Sequence, residues 1–183
     1  MLETLVHLIE LPPNVLTYLA IDIAIALLLL GVIRFLSGVP NDINVTQELG
    51  EKDNFAFGIS VAGRMLALCM VLSAVVGRHI GLGFEVAAMG TTLFGAIGII
   101  LIKIGRIAHD KIVLHLVDKE LAIRERNTSV AIVDASSAIA SAIIIYGMIN
   151  WVDGNDTNAI VGILSGFFIV LAILLLTTRL YEI

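Results

Sequence analysis

The chain has 183 residues, 58% of them hydrophobic and 15% charged, with a mean hydropathy of +1.01 and a net charge of -5 from 16 acidic and 11 basic residues. Soluble domains run at about half apolar and about a quarter charged, so this composition excludes an ordinary water-soluble enzyme. The acidic balance, with no continuous basic face to neutralise phosphates, excludes a nucleic-acid binder.

Residues 1–14 carry Glu3 and Glu10 but no Lys or Arg, unlike a cleavable signal peptide, so the first apolar stretch is expected to be retained. Crossing roughly 30 Å of hydrocarbon at about 1.5 Å per residue takes about 20 apolar residues. Five stretches satisfy this: 15–36, 55–76, 84–104, 129–151 and 158–178. Pro12 and Pro13 precede the first, where a missing amide donor costs least. Gly81 and Gly83, then Gly154 and Asn155, mark short hairpins between the second and third and the fourth and fifth stretches. The expected fold class is all-α, a polytopic membrane protein with five transmembrane helices.

Between the third and fourth stretches, residues 106–126 place Ile112, Val113, Leu116, Val117 and Leu121 on one helical face, against Asp110, Lys111, Asp118, Lys119 and Arg124. The pattern predicts an amphipathic helix that lies on the inner membrane surface or extends the third helix. Its role is that of a connector covering the bundle or of a docking site for a cytoplasmic protein.

The basic residues are strongly sided. Arg34, Lys52, Lys103, Arg106, Lys111, Lys119, Arg124, Arg126 and Arg179 fall on one side of the five spans, and only Arg78 falls on the other. The positive-inside rule therefore places the N-terminus outside and the C-terminus in the cytoplasm, with Tyr146 and Trp151 near the outer interface and Tyr181 near the inner one.

An internal repeat is expected. Glu48-Leu49 followed by Asn54 to Gly63 recurs as Glu120-Leu121 followed by Asn127 to Ser136, with an offset of 73 residues from Asn54 to Asn127. The chain then divides into an N-terminus with a leading helix (1–46), a first two-helix unit (47–106), an inner-surface connector (107–119) and a second two-helix unit (120–183). Both units enter from the same side, which makes them parallel repeats.

The residues Glu48, Leu49, Asn54, Gly58 and Gly63, echoed by Glu120, Leu121, Asn127, Ala131 and Ser136, resemble the motif of the YjfL-type bacterial inner-membrane proteins, family 350 of the domains of unknown function. The resemblance covers nearly the whole chain from Glu48. It implies a polytopic protein of the bacterial inner membrane, in an envelope-stress context, and no established chemistry. The second unit departs from the first in Ser136 for Gly63 and in one extra residue between Glu120 and Asn127.

Asn54 and Asn127 each precede a span, where an Asn side chain can cap the helix; ligand contact is the other reading. Gly58 and Ala62, Ala131 and Ala135, and Gly162 and Gly166 are small pairs four apart that favour close helix packing, within the chain or between copies. Arg64 lies well inside the second span and needs a partner, for which Asp134 and Asp22 are the candidates. These three form either a structural ion pair that fixes helix register or an ion or proton path. Lys103 and Arg106 read as ordinary interface residues at the end of the third span, and Cys69 as a small buried hydrophobe.

No phosphate loop, nucleophile motif or zinc-ligand spacing occurs, and His7, His79, His109 and His115 lack metal spacing, so neither metal, cofactor nor enzymatic activity is expected. Two functions fit. One is a non-enzymatic scaffold or accessory subunit of a membrane complex, recruiting a partner through 106–126 and the 37–54 loop. The other is a small oligomeric ion channel or proton-coupled transporter using Arg64, Asp22 and Asp134. The expected partners are the lipid bilayer, further copies of the chain or a membrane protein complex, and no nucleic acid.

Overall fold

A computed structural model describes residues 15–38, 45–79, 83–152 and 157–181. The elements are α1 (Val15–Gly38), α2 (Val45–Gly50), α3 (Phe55–His79), α4 (Phe84–Ile112), α5 (Lys119–Arg124), α6 (Thr128–Trp151) and α7 (Thr157–Tyr181). The described residues contain no strand, and five of the helices, α1, α3, α4, α6 and α7, are long and apolar enough to cross a membrane. The fold is that of a polytopic membrane protein. Pro12, Pro13, Glu3, Glu10, His7, Gly81, Gly154 and Asn155 lie outside the described residues.

Two connections differ from the sequence expectation. The segment 106–126 is not one amphipathic helix: α4 continues to Ile112, turns occupy 113–118, and α5 begins anew. The amides of Val113 and Leu114 both donate to the His109 carbonyl, which ends α4, and the Asp118 side chain accepts from the Leu121 amide at 3.0 Å, which starts α5. The 37–54 loop likewise contains a short helix, α2.

The centre of the bundle is the α3–α6 pair. At Gly63 an added Cβ would stand 2.4 Å from the Ala135 Cβ and 2.7 Å from its Cα, so the two backbones meet where a side chain is missing. Ala131, Ala138 and Ala142 continue this small-residue face of α6, with Ala67, Val71 and Val75 opposite on α3 and Phe94, Leu101 and Ile102 added from α4. On α7, Ile163, Phe167, Leu171 and Leu175 close the core, and Gly162 and Gly166 face Val152 and Met148 of the α6 end. Helix α1 is peripheral, touching α3 through Leu29 and Ile33 against Leu68 and Leu72. Cys69, expected to be buried, lies on the exposed flank of α3, because the packed face runs through Ser60, Gly63, Ala67 and Val71.

At the hairpin end, α3 finishes on Arg78, whose Nη1 donates to the carbonyls of Ile149 and Val152 at 2.5 Å each and whose guanidinium lies 5.4 Å from the Phe94 ring centre. These contacts satisfy carbonyls left open at the α6 C-terminus. Gly83 precedes α4 with a φ of 91°, a conformation that favours glycine.

The Gly63 contact is with backbone and cannot yield by a rotamer change. Gly63→Val is expected to cost about 1–3 kcal/mol or more by overpacking, whereas Gly77→Ala, with open space around it, should leave stability unchanged or slightly higher. Denaturation of the two purified variants by SDS in mixed micelles measures the difference.

Candidate functional site

A cluster of charged residues lies at the end of the bundle that carries α2 and α5, here the connector end. Asp134 stands six residues beyond the first residue of α6, about 9 Å along the helix axis, and its side chain is fully buried. An unpaired charge in hydrocarbon costs about 2.5–3.5 kcal/mol on insertion scales. Asp134 is far from unpaired. Its Oδ1 accepts from Arg106 Nη2 at 2.6 Å, Arg106 Nε at 3.0 Å and Lys119 Nζ at 2.9 Å, while its Oδ2 accepts from Ser60 Oγ at 2.5 Å. Ser60 Oγ in turn accepts from Arg64 Nη2 at 2.7 Å, and Arg64 Nε donates to the Ser60 carbonyl at 3.1 Å. Lys119 also reaches Asp110 on α4. One carboxylate thereby joins α3, α4, α5 and α6.

Of the three charges expected to form a network, Arg64 and Asp134 are brought together, through Ser60. Asp22 is not part of the cluster. Its Oδ1 accepts from Thr91 Oγ1 at 3.1 Å, and the 15 residues of α4 between Thr91 and Arg106 span about 22 Å. Asp22 sits apart because α1 packs on the outside of the α3–α4 pair and never enters the centre. Arg106, read from sequence as an interface residue, is instead the principal partner of Asp134. Ser60, Lys119 and Asp110 were also missed. Ser60 and Arg64 share a helix face at i, i+4, as do Arg106 and Asp110, and that spacing was the available signal.

A second polar cluster fastens the lead-ins. Asn54 is buried; its Oδ1 accepts from the Phe57 amide at 3.1 Å, capping α3, and its Nδ2 donates to Glu48 Oε2 at 3.2 Å and to the Ile123 carbonyl at 3.1 Å. Asn127 caps α6 through the Val130 amide at 3.2 Å but stays exposed. Each Asn follows a non-glycine residue with left-handed backbone, Asp53 at φ 48° and Arg126 at φ 66°. Arg126 Nη2 donates to the Lys52 carbonyl at 2.6 Å, so the two lead-ins hold each other. Glu48 is buried on α2 and pairs with Lys52 at 2.7 Å, whereas Glu120 is exposed on α5. Gly58 packs on Leu49, and Ser136 is exposed on α6, donating to the Ile132 carbonyl at 2.8 Å.

Chemically, the Asp134 cluster can hold charge and fix geometry. Among the described residues, no group of three or more His, Cys, Asp or Glu is arranged to hold a metal ion. The hydrogen bond from Lys52 holds the Glu48 carboxyl below its ordinary value of 4.5, against the opposing push of burial and with help from Asn54 and the Arg124 charge.

A family model described as Domain of Unknown Function (DUF350) matches residues 5–149. No curated protein and no solved structure matches the chain.

Removing one partner from a buried ion pair leaves a stranded charge, at a cost of about 3–5 kcal/mol, whereas replacing both by apolar groups is often neutral. Asp134→Leu and Arg106→Met are each expected to lower stability sharply, and the double variant less than the sum of the two. A double-mutant cycle in the same SDS assay measures the coupling.

A carboxyl held below its ordinary value adds stability that is complete above that value and fades as pH falls through the folded-state value. The thermal midpoint should therefore drop on acidification below 4.5, and Glu48→Gln should remove that part of the drop.

Proposed function

The chain belongs to the DUF350 family, and we propose that it serves as a non-enzymatic scaffold or accessory subunit of a complex in the bacterial inner membrane. In this reading its N-terminus faces outward, and the connector end faces the cytoplasm, where the basic residues gather. The observation that carries the proposal is the fastening of the connector. Lys119 binds Asp134 and Asp110, Asn54 holds the Ile123 carbonyl, and Arg126 holds the Lys52 carbonyl. A loop that only joined two helices would have no need of three anchors. Held in this way, the connector presents Leu116 and Leu121 outward, at 87% and 52% exposure, among charged neighbours. That is a fixed, mixed apolar and charged surface of the kind a protein partner recognises.

The matched lead-ins, short helix, left-handed residue, capping Asn and long helix, support reading 47–106 and 120–183 as parallel repeat units. A second reading, an oligomeric ion channel or proton-coupled transporter, is favoured by Asp22, a carboxyl within a span whose hydrogen bond comes from Thr91.

Purification of the tagged protein from native membranes in mild detergent tests the scaffold. The wild type is expected to bring a stoichiometric partner, and Leu116→Glu with Leu121→Glu to lose it while keeping the thermal midpoint. Isolation of the wild type without a partner, together with proton flux in liposomes that Asp22→Asn abolishes, would establish the transport reading in its place.

A further inference from the structure

A groove of about 230 Å³ runs between α6 and α7 toward the connector end, with α4 as its floor. A dry cavity of about 150 Å³ accommodates benzene, so this one has room for a ring or a short run of hydrocarbon chain. Leu171, Leu174 and Leu175 supply an apolar wall, and Gly105 and His109 of α4 supply the floor, where the absent side chain of Gly105 leaves space for Ser141 Oγ and the His109 ring adds one polar edge.

The facing wall on α6 bears the hydroxyls of Ser136, Ser137 and Ser141, α7 adds that of Thr178 beside its leucines, and the four hydroxyl protons are all committed. Each donates to a backbone carbonyl of its own helix: Ser136 to that of Ile132 at 2.8 Å, Ser137 to that of Asp134 at 2.9 Å, Ser141 to that of Ser137 at 2.9 Å and Thr178 to that of Leu174 at 2.8 Å. A hydroxyl has one proton and two lone pairs. What these four offer the groove is therefore acceptor capacity alone. A saturated acyl chain would match the leucines and leave the acceptors unmet, while water would meet the acceptors and waste the leucines. No carboxylate lines the groove, so an ammonium group has no countercharge there.

We propose that this groove is a binding site for a neutral amphiphile from the lipid phase, a hydrocarbon body bearing an O–H donor, of the alcohol or phenol class. The body lies along α7 and the hydroxyl donates to the serine row of α6. The groove lies on the flank of the bundle, and the ligand enters sideways from the leaflet at the connector end.

Two photoreactive probes of one carbon skeleton test this on the full chain in liposomes: a diazirine-bearing hexadecanol and the matching hydrocarbon without the hydroxyl. The alcohol is expected to label α6 and α7 peptides about fivefold more than the hydrocarbon, the ratio of one net hydrogen bond. Ser136→Ala with Ser137→Ala should bring the ratio to about one without changing hydrocarbon labelling, and Ala140→Phe should abolish labelling by both. The serine variant keeps the test intact if the Phe variant fails to fold. Equal labelling of the wild type by both probes would make the groove a seat for ordinary lipid tails and overturn the proposal. Labelling by neither probe would also overturn it.

Discussion

A carboxylate some 9 Å along an apolar helix is tolerated only where the surroundings replace water completely, and at Asp134 they do. Four donor atoms from Arg106, Lys119 and Ser60 converge on its two oxygens, and Arg64 stands behind Ser60. The rest of the connector end follows from this. Arg64 can lie within a span because Ser60 relays it to the acid. Helix α4 can run on to Ile112 because Arg106 and Asp110 stay tied to the centre. The chain turns back after α4 because Lys119 reaches both acids.

Close backbone packing makes such convergence possible. Short side chains such as Ser60 and Asp134 hydrogen-bond directly only where their helices nearly touch, and Gly63 against Ala135 brings α3 and α6 that close. In lipid, helices gain little from hiding apolar surface from one another, so packing and polar contacts set their association. Small residues and the ion cluster therefore act together in one stretch of α3 and α6.

The five spans were legible because length and hydropathy are properties of each segment alone. The caps at Asn54 and Asn127 were legible for the same reason: the Asn and the amide it accepts from are three residues apart. Arg64 and Asp134 could be singled out because a charge in an apolar run is conspicuous. Their surroundings were less accessible. Arg106 looked like any cation at a helix end, Ser60 like any small residue, and the choice between Asp22 and Arg106 as the neighbour of Asp134 depends on which helix lies at the centre. The turn at 113–118 was hidden too, since no Gly or Pro marks it and tertiary anchoring of Lys119 sets it.

The cluster joins residues that are far apart in the order of synthesis. Arg64 emerges 70 residues before Asp134, and Arg106 emerges 28 before it. At about 5–20 residues per second, the first hairpin waits roughly one to six seconds with two arginines that lack this acid. Long arginine side chains can reach toward the headgroups in that interval, and only α6 brings the acid that matches them within the bundle. The cations of the first hairpin thus take their acid from the second half of the chain.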